Sequence, residues 1–115
     1  MVVKTGVEMD ITYSSKKLEN SMTKKINSSY EKSMARRIRQ RLSEFSVSDC
    51  LADIPVSPPP RLHRLKGKYK NCFAVDISAN YRLIIQAFDI ENRQTINQVE
   101  AVSVQIMKVE DYHEK

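Results

Sequence analysis

The chain has 115 residues, a formal net charge of +5 and 41% hydrophobic residues. A chain of this length is expected to form one domain with one core, and its apolar content excludes intrinsic disorder over the whole length. With two glycines in the sequence, the glycine-rich loops that bind nucleotide phosphates are excluded. No apolar run approaches the roughly 20 residues of a membrane span, so the chain is expected to be soluble and cytoplasmic, with no membrane partner.

Positive charge is concentrated in the first part of the chain. Residues 1–70 contain 15 Lys and Arg against 7 Asp and Glu, whereas residues 71–115 contain 4 against 7. A basic block of this kind favours polyanions, because binding releases their condensed counterions. The pattern therefore points to RNA or DNA as a partner. An acidic protein and a merely solubilising surface are the alternatives.

The first predicted elements are a short strand and a helix. Residues 9–13 alternate between apolar and polar side chains, which is typical of a strand. Ser14-Ser15 then offers side-chain oxygens that can cap a following helix. Apolar residues recur every fourth position from Leu18 to Ile26, and this stripe predicts a first helix that ends near Asn27.

The strongest local signal is the predicted start of a second helix. Ser28-Ser29-Tyr30-Glu31 fits a capping box, in which Ser28 accepts from the backbone of Glu31 and the Glu31 side chain reaches back. Apolar residues then follow at helical spacing from Met34 to Phe45. Four arginines lie between them, at Arg36, Arg37, Arg39 and Arg41.

A proline-rich segment separates these helices from the remaining chain. Residues 46–60 include Pro58-Pro59-Pro60, three positions without a backbone donor. Such a run favours extended geometry and more often connects two folded segments than serves as a ligand for SH3-like domains. We therefore expect the helices to end here and a stiff connector to follow.

The second half of the chain reads as strands. Residues 73–78 alternate with period two, a turn is expected near Ala79-Asn80, and residues 81–88 complete a hairpin. Three consecutive apolar residues, 83–85, predict a strand buried on both faces. Residues 99–109 resume the alternation, with Val102, Val104 and Ile106 on one face. Helices before strands predict an α+β fold, with two N-terminal helices packed on a small, mostly antiparallel sheet.

The cysteines and histidines show no pattern of a metal site. Cys50 and Cys72 form no C-x-x-C pair, and His63 and His113 do not complete a zinc-ligand spacing. Both cysteines are expected to be reduced and structural, with a disulfide as the alternative. No cofactor and no metal are predicted.

Three segments contain residues suited to chemistry on RNA. In the segment 61–68, an extended strand would put His63 and Leu65 on one face and the basic residues Arg64, Lys66 and Lys68 on the other, although a twist or bulge could return Lys66 toward His63. Arg82 interrupts an apolar strand and must be paired or face a wet cleft. The third segment is Asp111-Tyr112-His113.

These side chains supply what metal-free RNA cleavage needs. The reaction requires a base for the 2′-hydroxyl proton, cations for the charge that grows on the phosphate, and an acid for the leaving 5′-oxygen. Histidine suits both proton roles because its ordinary pKa is about 6.5. Each residue also has an alternative without function: a surface or packing histidine, a plain salt bridge at Arg82, and a disordered tail at Asp111-Tyr112-His113.

Three motifs in order give the chain a family resemblance. They are L-H-x-L-K-G at 62–67, N-Y-R at 80–82 and D-Y-H at 111–113. Segments 10–18 and 51–55 fit the same pattern. The chain closely resembles the HigB, or plasmid-maintenance killer protein, branch of the RelE/ParE toxin superfamily, over roughly residues 9–113. Where that family commonly has Gly-Asn in the hairpin turn, this chain has Ala79-Asn80.

The resemblance implies a set of active-site residues. They are His63, Lys66, Arg82, Asp111, Tyr112 and His113. The two histidines would transfer protons, and the arginine and lysine would stabilise charge on the phosphate. Tyr112 would line or stack on a base, and Asp111 would orient its neighbour. Further RNA contacts are predicted at Arg36, Arg37, Arg39, Arg41, Arg64, Lys68 and Lys70.

The same resemblance implies the activity and the partners. The protein would enter the ribosomal A site and cut mRNA, leaving 2′,3′-cyclic phosphate ends, and a HigA-like helix-turn-helix antitoxin would inhibit it, with the complex binding operator DNA. Residues 1–8 would be an N-terminal extension and residues 9–115 the toxin domain. The alternatives are a ParE-like inhibitor of DNA gyrase, which cuts no RNA, and a basic RNA-binding or antitoxin-binding module that has lost catalysis.

Overall fold

The computed structural model describes residues 8–112. Most of the predicted N-terminal extension and the candidate residue His113 lie outside the described residues. Within 8–112, no helix combines the length and the apolar character needed to cross a bilayer.

The described residues form three helices and one five-stranded sheet. In chain order they are strand β1 (Asp10–Tyr13), helices α1 (Lys16–Met22), α2 (Ile26–Ser29) and α3 (Lys32–Ser46), and strands β2 (His63–Arg64), β3 (Phe73–Asp76), β4 (Tyr81–Phe88) and β5 (Ser103–Asp111). Short 3-10 turns at Leu51–Asp53 and Gly67–Tyr69 interrupt the connections.

The sheet confirms the predicted α+β class. Its strand order is β1-β5-β4-β3-β2. The pairs β2–β3, β3–β4 and β4–β5 are antiparallel, and β1 runs parallel to β5 in a register that aligns Asp10 with Ser103. The long final strand therefore lies between the first strand and the predicted hairpin.

The predicted capping box at Ser28 is wrong. Ser28 belongs to α2, where its hydroxyl donates to the carbonyl of Lys25 at 3.1 Å. Tyr30 is extended, and α3 begins after Glu31, whose carboxylate accepts from the backbone N–H and the hydroxyl of Ser33, both at 2.6 Å. The predicted first helix is correspondingly divided into α1 and α2, because the chain leaves helical geometry at Thr23.

Helices and sheet enclose the main core on one face of the sheet. The apolar stripe of α3 is buried as predicted, and its buried residues include Met34, Ile38 and Phe45. They pack with sheet residues such as Leu83 and Ile85. Each of these aliphatic and aromatic side chains contributes about 1.5 to 3 kcal/mol by leaving water.

The other face of the sheet, called the open face below, carries a second and smaller apolar cluster. It consists of Leu65, Cys72, Ala74 and Ile84, with Tyr69 and Met107 packed against it. Ile84 thus faces the other side of the sheet from its two neighbours in β4, which confirms the prediction of a central strand buried on both faces. Cys50 and Cys72 are both free thiols, as predicted.

The final strand begins later than its sequence pattern indicates. The prediction covers Val99–Val109, whereas β5 starts at Ser103. A turn precedes it, in which the Asn97 side chain accepts from the backbone N–H of Val99 at 3.0 Å, and Val99 is 71% exposed. Val102 also lies before the strand, while Val104 is fully buried as predicted.

Candidate functional site

The strand register brings polar residues from four strands to the open face. His63 pairs with Ala74, Ala74 with Ile84, and Ile84 with Lys108. Because directly paired residues share a face and alternate residues return to it, the next row on the same face joins Asp76, Arg82 and Glu110. The candidates His63 and Arg82 therefore lie on one surface.

Arg82 is held between a carboxylate and an aromatic ring. Its Nε donates to Glu110 Oε1 at 2.7 Å, and its Nη2 lies 2.7 Å from the same oxygen. Its guanidinium carbon is 4.6 Å from the centroid of the Tyr112 ring, within cation–π range. The side chains of Arg82 and Glu110 are 18% and 16% exposed. The arginine is thus paired, as its place in an apolar strand requires, and it remains reachable from solvent.

The surroundings of Glu110 keep its carboxylate charged. Partial burial acts to raise the pKa of Glu110, but hydrogen bonds from Arg82 and Tyr69 and the positive charges of Arg82 and Lys108 outweigh it. The net effect is a pKa below the ordinary value. The Lys108 ammonium also lies 3.4 Å from the Tyr69 hydroxyl, so Tyr69 and Lys108 flank the ion pair.

Tyr112 is fixed at both ends. Its backbone N–H donates to the carbonyl of Asn80 at 2.9 Å, and its hydroxyl donates to Asp76 Oδ1 at 3.2 Å. Asp76 also accepts from Arg61, through Nε at 2.7 Å and Nη2 at 3.1 Å. The ring that packs on Arg82 is therefore tied to the carboxyl end of β3.

One nitrogen of His63 is committed to the backbone. Its Nδ1 lies 2.7 Å from the carbonyl oxygen of Arg61. Because a carbonyl only accepts, Nδ1 must carry the hydrogen and donate it. In neutral His63 the lone pair is then on Nε2, which leaves Nε2 as the nitrogen suited to proton transfer.

The predicted alternation after His63 is confirmed for Leu65 and Arg64 and ends before Lys66. Strand β2 ends at Arg64, and the chain turns at Gly67, whose positive φ of 66° suits glycine. Arg64 pairs in register with Phe73 of the main core, which places it on the helix face rather than the open face. Lys66 and Lys68 are exposed on the turn, and so is Lys70 after it.

Asp111 is not among the residues brought together, although the D-Y-H motif predicts it there. It pairs with Tyr81, which packs against the main core. Tyr81 and Arg82 are neighbours in β4 and face opposite sides of the sheet. Asp111, which pairs with Tyr81, therefore lies on the opposite face from Arg82. Its neighbour Glu110 occupies the open face, so the carboxylate beside Arg82 comes from the residue before the D-Y-H motif.

The arginines of α3 divide into two groups. Arg36, Arg37 and Arg39 are exposed, and Arg39 donates to Asn27 at 2.6 Å. Arg41 is 4% exposed and does not belong to the predicted RNA-binding surface. Its guanidinium is used inside the fold, where it donates to the carbonyl of Asp76 and to the Glu44 carboxylate.

Sequence reasoning missed Arg61, Tyr69, Asp76 and Glu110. A signal existed for Asp76, since it is the polar residue in the alternation of β3 and must face away from the main core. No comparable signal existed for Glu110, because its pairing with Arg82 depends on the register of β5. Among residues 8–112, no group of three or more His, Cys, Asp or Glu side chains is placed to hold a metal ion.

Residues 12–101 match the family described as the RelE-like toxin HigB of type II toxin-antitoxin systems. The chain belongs to this HigB-like toxin family. The match includes His63, Lys66 and Arg82 and stops before the D-Y-H motif. No curated protein matched the sequence of this toxin.

Solved structures of toxins share the fold at low sequence identity. The toxin resembles a YoeB/ParE toxin from Agrobacterium tumefaciens with a TM-score of 0.57 and 11% identity, covering 92% of this chain and 100% of that one. It resembles the YoeB-YefM complex from Staphylococcus aureus with a TM-score of 0.55 and 16% identity, covering 92% and 98%. For the YoeB dimer from Staphylococcus aureus the values are 0.54, 16%, 93% and 99%. These similarities establish the fold.

Proposed function

We propose that this type II toxin is a metal-independent endoribonuclease that cuts mRNA on the ribosome and thereby inhibits translation. The observation that carries the proposal is the open-face group of Arg82, Tyr112 and His63. It offers a cation for a phosphate, an aromatic ring for a base and a nitrogen for proton transfer. Together they form a reaction site for RNA rather than a plain interaction surface.

In the proposed reaction the 2′-oxygen attacks the adjacent phosphorus. A base removes the 2′-hydroxyl proton, the bond from phosphorus to the 5′-oxygen breaks, and an acid protonates that oxygen, which leaves a 2′,3′-cyclic phosphate. His63 transfers one proton through Nε2. His113 is proposed for the other proton on the family resemblance alone.

Charge stabilisation is assigned to the cations around the scissile phosphate. Arg82 donates to the phosphate oxygens as negative charge grows on them, and Lys66 adds a second cation. Tyr112 stacks on an unpaired base, as aromatic residues do in RNA-binding sites. The guanidinium of Arg82 must share its donors between Glu110 and the phosphate when RNA binds.

The ribosome is proposed as the surface on which the toxin acts. Exposed arginines of α3 and the lysines of the turn after β2 contact ribosomal RNA through phosphates, which position a protein without reading sequence. The residues are Arg36, Arg37, Arg39, Lys68 and Lys70. Arg64 contributes from the helix side of the sheet.

An antitoxin is the second proposed partner. The Staphylococcus aureus YoeB structure contains a YefM partner, and type II systems pair a toxin with a protein antitoxin. For this toxin we propose a HigA-like helix-turn-helix antitoxin whose complex with the toxin binds operator DNA. Such binding keeps a cytoplasmic nuclease from arresting its own host.

The direct test adds the purified toxin to translating ribosomes and maps new 3′ ends on the mRNA. The expected ends carry a 2′,3′-cyclic phosphate. Arg82→Ala should slow cleavage by about 100-fold or more, the usual cost of removing one donor from developing charge. Arg93→Ala is the matched control, because Arg93 lies on the loop after β4 with its side chain 72% exposed.

Absence of new mRNA ends would overturn the proposal. Inhibition of gyrase supercoiling by stoichiometric toxin, with translation intact, would then favour the ParE-like alternative. If expressed Arg82→Ala and His113→Ala variants inhibit growth as strongly as the wild type, toxicity has another source than this site.

A further inference from the structure

Asp76 lies at the centre of the contacts that hold the open face together. Its carboxylate accepts the fork of Arg61 and, on Oδ1, the hydroxyl of Tyr112. These two residues come from segments far apart in the chain, one before β2 and one after β5. A single side chain of β3 thus ties both to the sheet.

The backbone of Asp76 is held as firmly as its side chain. Its N–H donates to the carbonyl of Pro60 at 2.8 Å, and its carbonyl accepts from Arg41 Nε at 2.7 Å. Arg41 is itself 4% exposed and braced by Glu44 at 2.8 Å. The buried arginine of α3 therefore sets where the Asp76 carboxylate stands, which accounts for a charge inside the fold.

Arg61 adopts a backbone conformation that an arginine rarely uses. Its φ is 49°, in the left-handed region, which is strained for residues other than glycine. Strained residues persist where the surrounding structure determines them, and they cluster at functional sites. Here the strained backbone presents the carbonyl that holds His63 Nδ1.

We propose that Arg61 and Asp76 form a positioning pair for the reaction site. The Asp76 carboxylate holds the Tyr112 ring against Arg82, and the Arg61 carbonyl holds the His63 ring in one orientation. Neither residue touches the reacting atoms. The catalytic consequence rests on the proposed ribonuclease function, whereas the positioning of Tyr112 against Arg82 can be measured without it.

Stability alone does not account for this pair. The Arg61 side chain is 40% exposed and that of Asp76 is 19% exposed, and water weakens an ion pair with a partner this exposed. The strain of the left-handed arginine offsets part of the gain from the ion pair. A glycine at position 61 would give the same turn, and the same carbonyl for His63, without strain, so what the Arg61 side chain adds is the fork that holds the Asp76 carboxylate.

The first measurement is the NMR shift of the Arg82 side-chain N–H proton in the free toxin. Because the Arg82 guanidinium carbon lies 4.6 Å from the Tyr112 ring centroid, we expect this proton to be shifted upfield in the wild type, and the signal is identified by its loss in Arg82→Lys. Asp76→Asn has the same shape but lacks the charge and the two acceptor oxygens that the contacts need. We expect the upfield shift to disappear in Asp76→Asn and to persist in the control Asp10→Asn, on the far edge strand β1.

The second measurement is single-turnover mRNA cleavage on ribosomes. Asp76→Asn should lower the cleavage rate by up to about 100-fold, the cost of misplacing a reacting group by about 1 Å. The ribosome concentration that gives half of the maximal cleavage rate should stay unchanged. Arg61→Gly keeps the carbonyl that holds His63 and removes the fork on Asp76, so it should lower the cleavage rate through Tyr112 without lowering the urea midpoint of unfolding, a separation that a structural role would not give.

Tyr112→Phe keeps the inference testable if Asp76→Asn fails to fold. It removes the tethering hydroxyl and leaves the ring, so the Arg82 side-chain N–H signal should lose its upfield shift, as in Asp76→Asn. An Arg82 signal at the wild-type position in Tyr112→Phe, or in a folded Asp76→Asn, would overturn the positioning pair. Failure of the wild-type toxin to cut mRNA would instead overturn the proposed function and leave the NMR result to decide the pair.

Discussion

At the scale of single residues, the ion pair of Arg82 and Glu110 sets the state of the free site. A guanidinium in a mostly apolar strand needs a partner, because an unpaired buried charge costs several kcal/mol. Glu110 supplies that partner at 2.7 Å. Under the proposed function, the phosphate of a bound RNA would compete with this carboxylate of the toxin itself, and the ion pair keeps the cation in place in the free site.

The pKa of Glu110 predicts how this pair responds to acid. Its folded pKa lies below the ordinary 4.5, so its stabilising contribution is complete above pH 4.5 and is lost as the pH falls through the folded pKa. Glu110→Gln should lower the free energy of unfolding at pH 7 by about 1 kcal/mol, and the difference from wild type should shrink below pH 4.5. Urea unfolding at both pH values measures it.

The control for this experiment is Glu100→Gln, which changes an exposed carboxylate on the loop before β5. A difference between Glu110→Gln and wild type that stays constant from pH 7 to pH 3 would show that the charge of Glu110 contributes nothing to stability.

Register explains which site residues the sequence could predict. His63 and Arg82 were accessible from residue type, motif order and period-two alternation. The motif predicts Asp111, but neighbouring residues of a strand face opposite sides, and one step in register decides between Asp111 and Glu110. The step is present in the structure as a register shift between β4 and β5 at Ile84 and Ile85, and the local sequence does not indicate where such a shift occurs.

At the scale of elements, the start of α3 shows two capping signals in competition. Ser28 and Glu31 are both good helix-start residues, and the sequence pattern joins them in one capping box. In the structure the Ser28 hydroxyl instead donates to the Lys25 carbonyl at the start of α2, and Glu31 alone caps α3. Helix existence was predictable from the apolar stripe, whereas the boundary depended on a choice between two local hydrogen bonds.

Substitutions at these two positions should separate the alternatives. Glu31→Ala should lower the urea midpoint, because it removes the acceptor for Ser33 and a negative charge at the N-terminus of α3. Ser28→Ala should leave the midpoint nearly unchanged. The hydrogen bonds from Ser33 lower the pKa of Glu31 below 4.5, so the effect of Glu31→Ala should fade as the pH drops through that folded pKa.

A larger loss of stability in Ser28→Ala than in Glu31→Ala would support the predicted capping box and contradict Glu31 as the cap of α3. Circular dichroism of each variant before unfolding shows whether the helical content is the same at the start.

At the scale of the whole molecule, the basic charge lies on two different surfaces. The exposed arginines of α3 stand on the helix layer, whereas Arg82 and its neighbours stand on the open face. A polyanion that reaches both must extend around the molecule. The ribosomal RNA of the proposed function has that extent, and the proposed mRNA substrate would then need to reach only the open face.

Charge reversal on α3 tests this division. Arg36→Glu, Arg37→Glu and Arg39→Glu together should weaken ribosome binding and reduce its salt slope by about one for each phosphate that the toxin no longer neutralises. Antitoxin binding should be spared. Binding titrations at several salt concentrations give both values.

The matched control reverses the charge of three exposed lysines in and just after α1 and changes the net charge by the same amount. They are Lys16, Lys17 and Lys24. Equal effects of the two triple variants would mean that net charge, rather than the α3 surface, governs ribosome binding. Loss of antitoxin binding alone in the α3 variant would assign that surface to the antitoxin.

The parallel pairing of β1 with β5 has a consequence for the order of folding. The hairpin of β3 and β4 joins neighbours in sequence, whereas the pair of Asp10 and Ser103 closes a loop of nearly the whole chain. Loop-closure entropy must be overcome before such distant contacts add stability, and folding slows as their share grows. The strands that carry Asp76 and Arg82 can therefore pair early in folding. The edge strand β1 can pair with β5 only after two segments from near opposite ends of the described chain have come together.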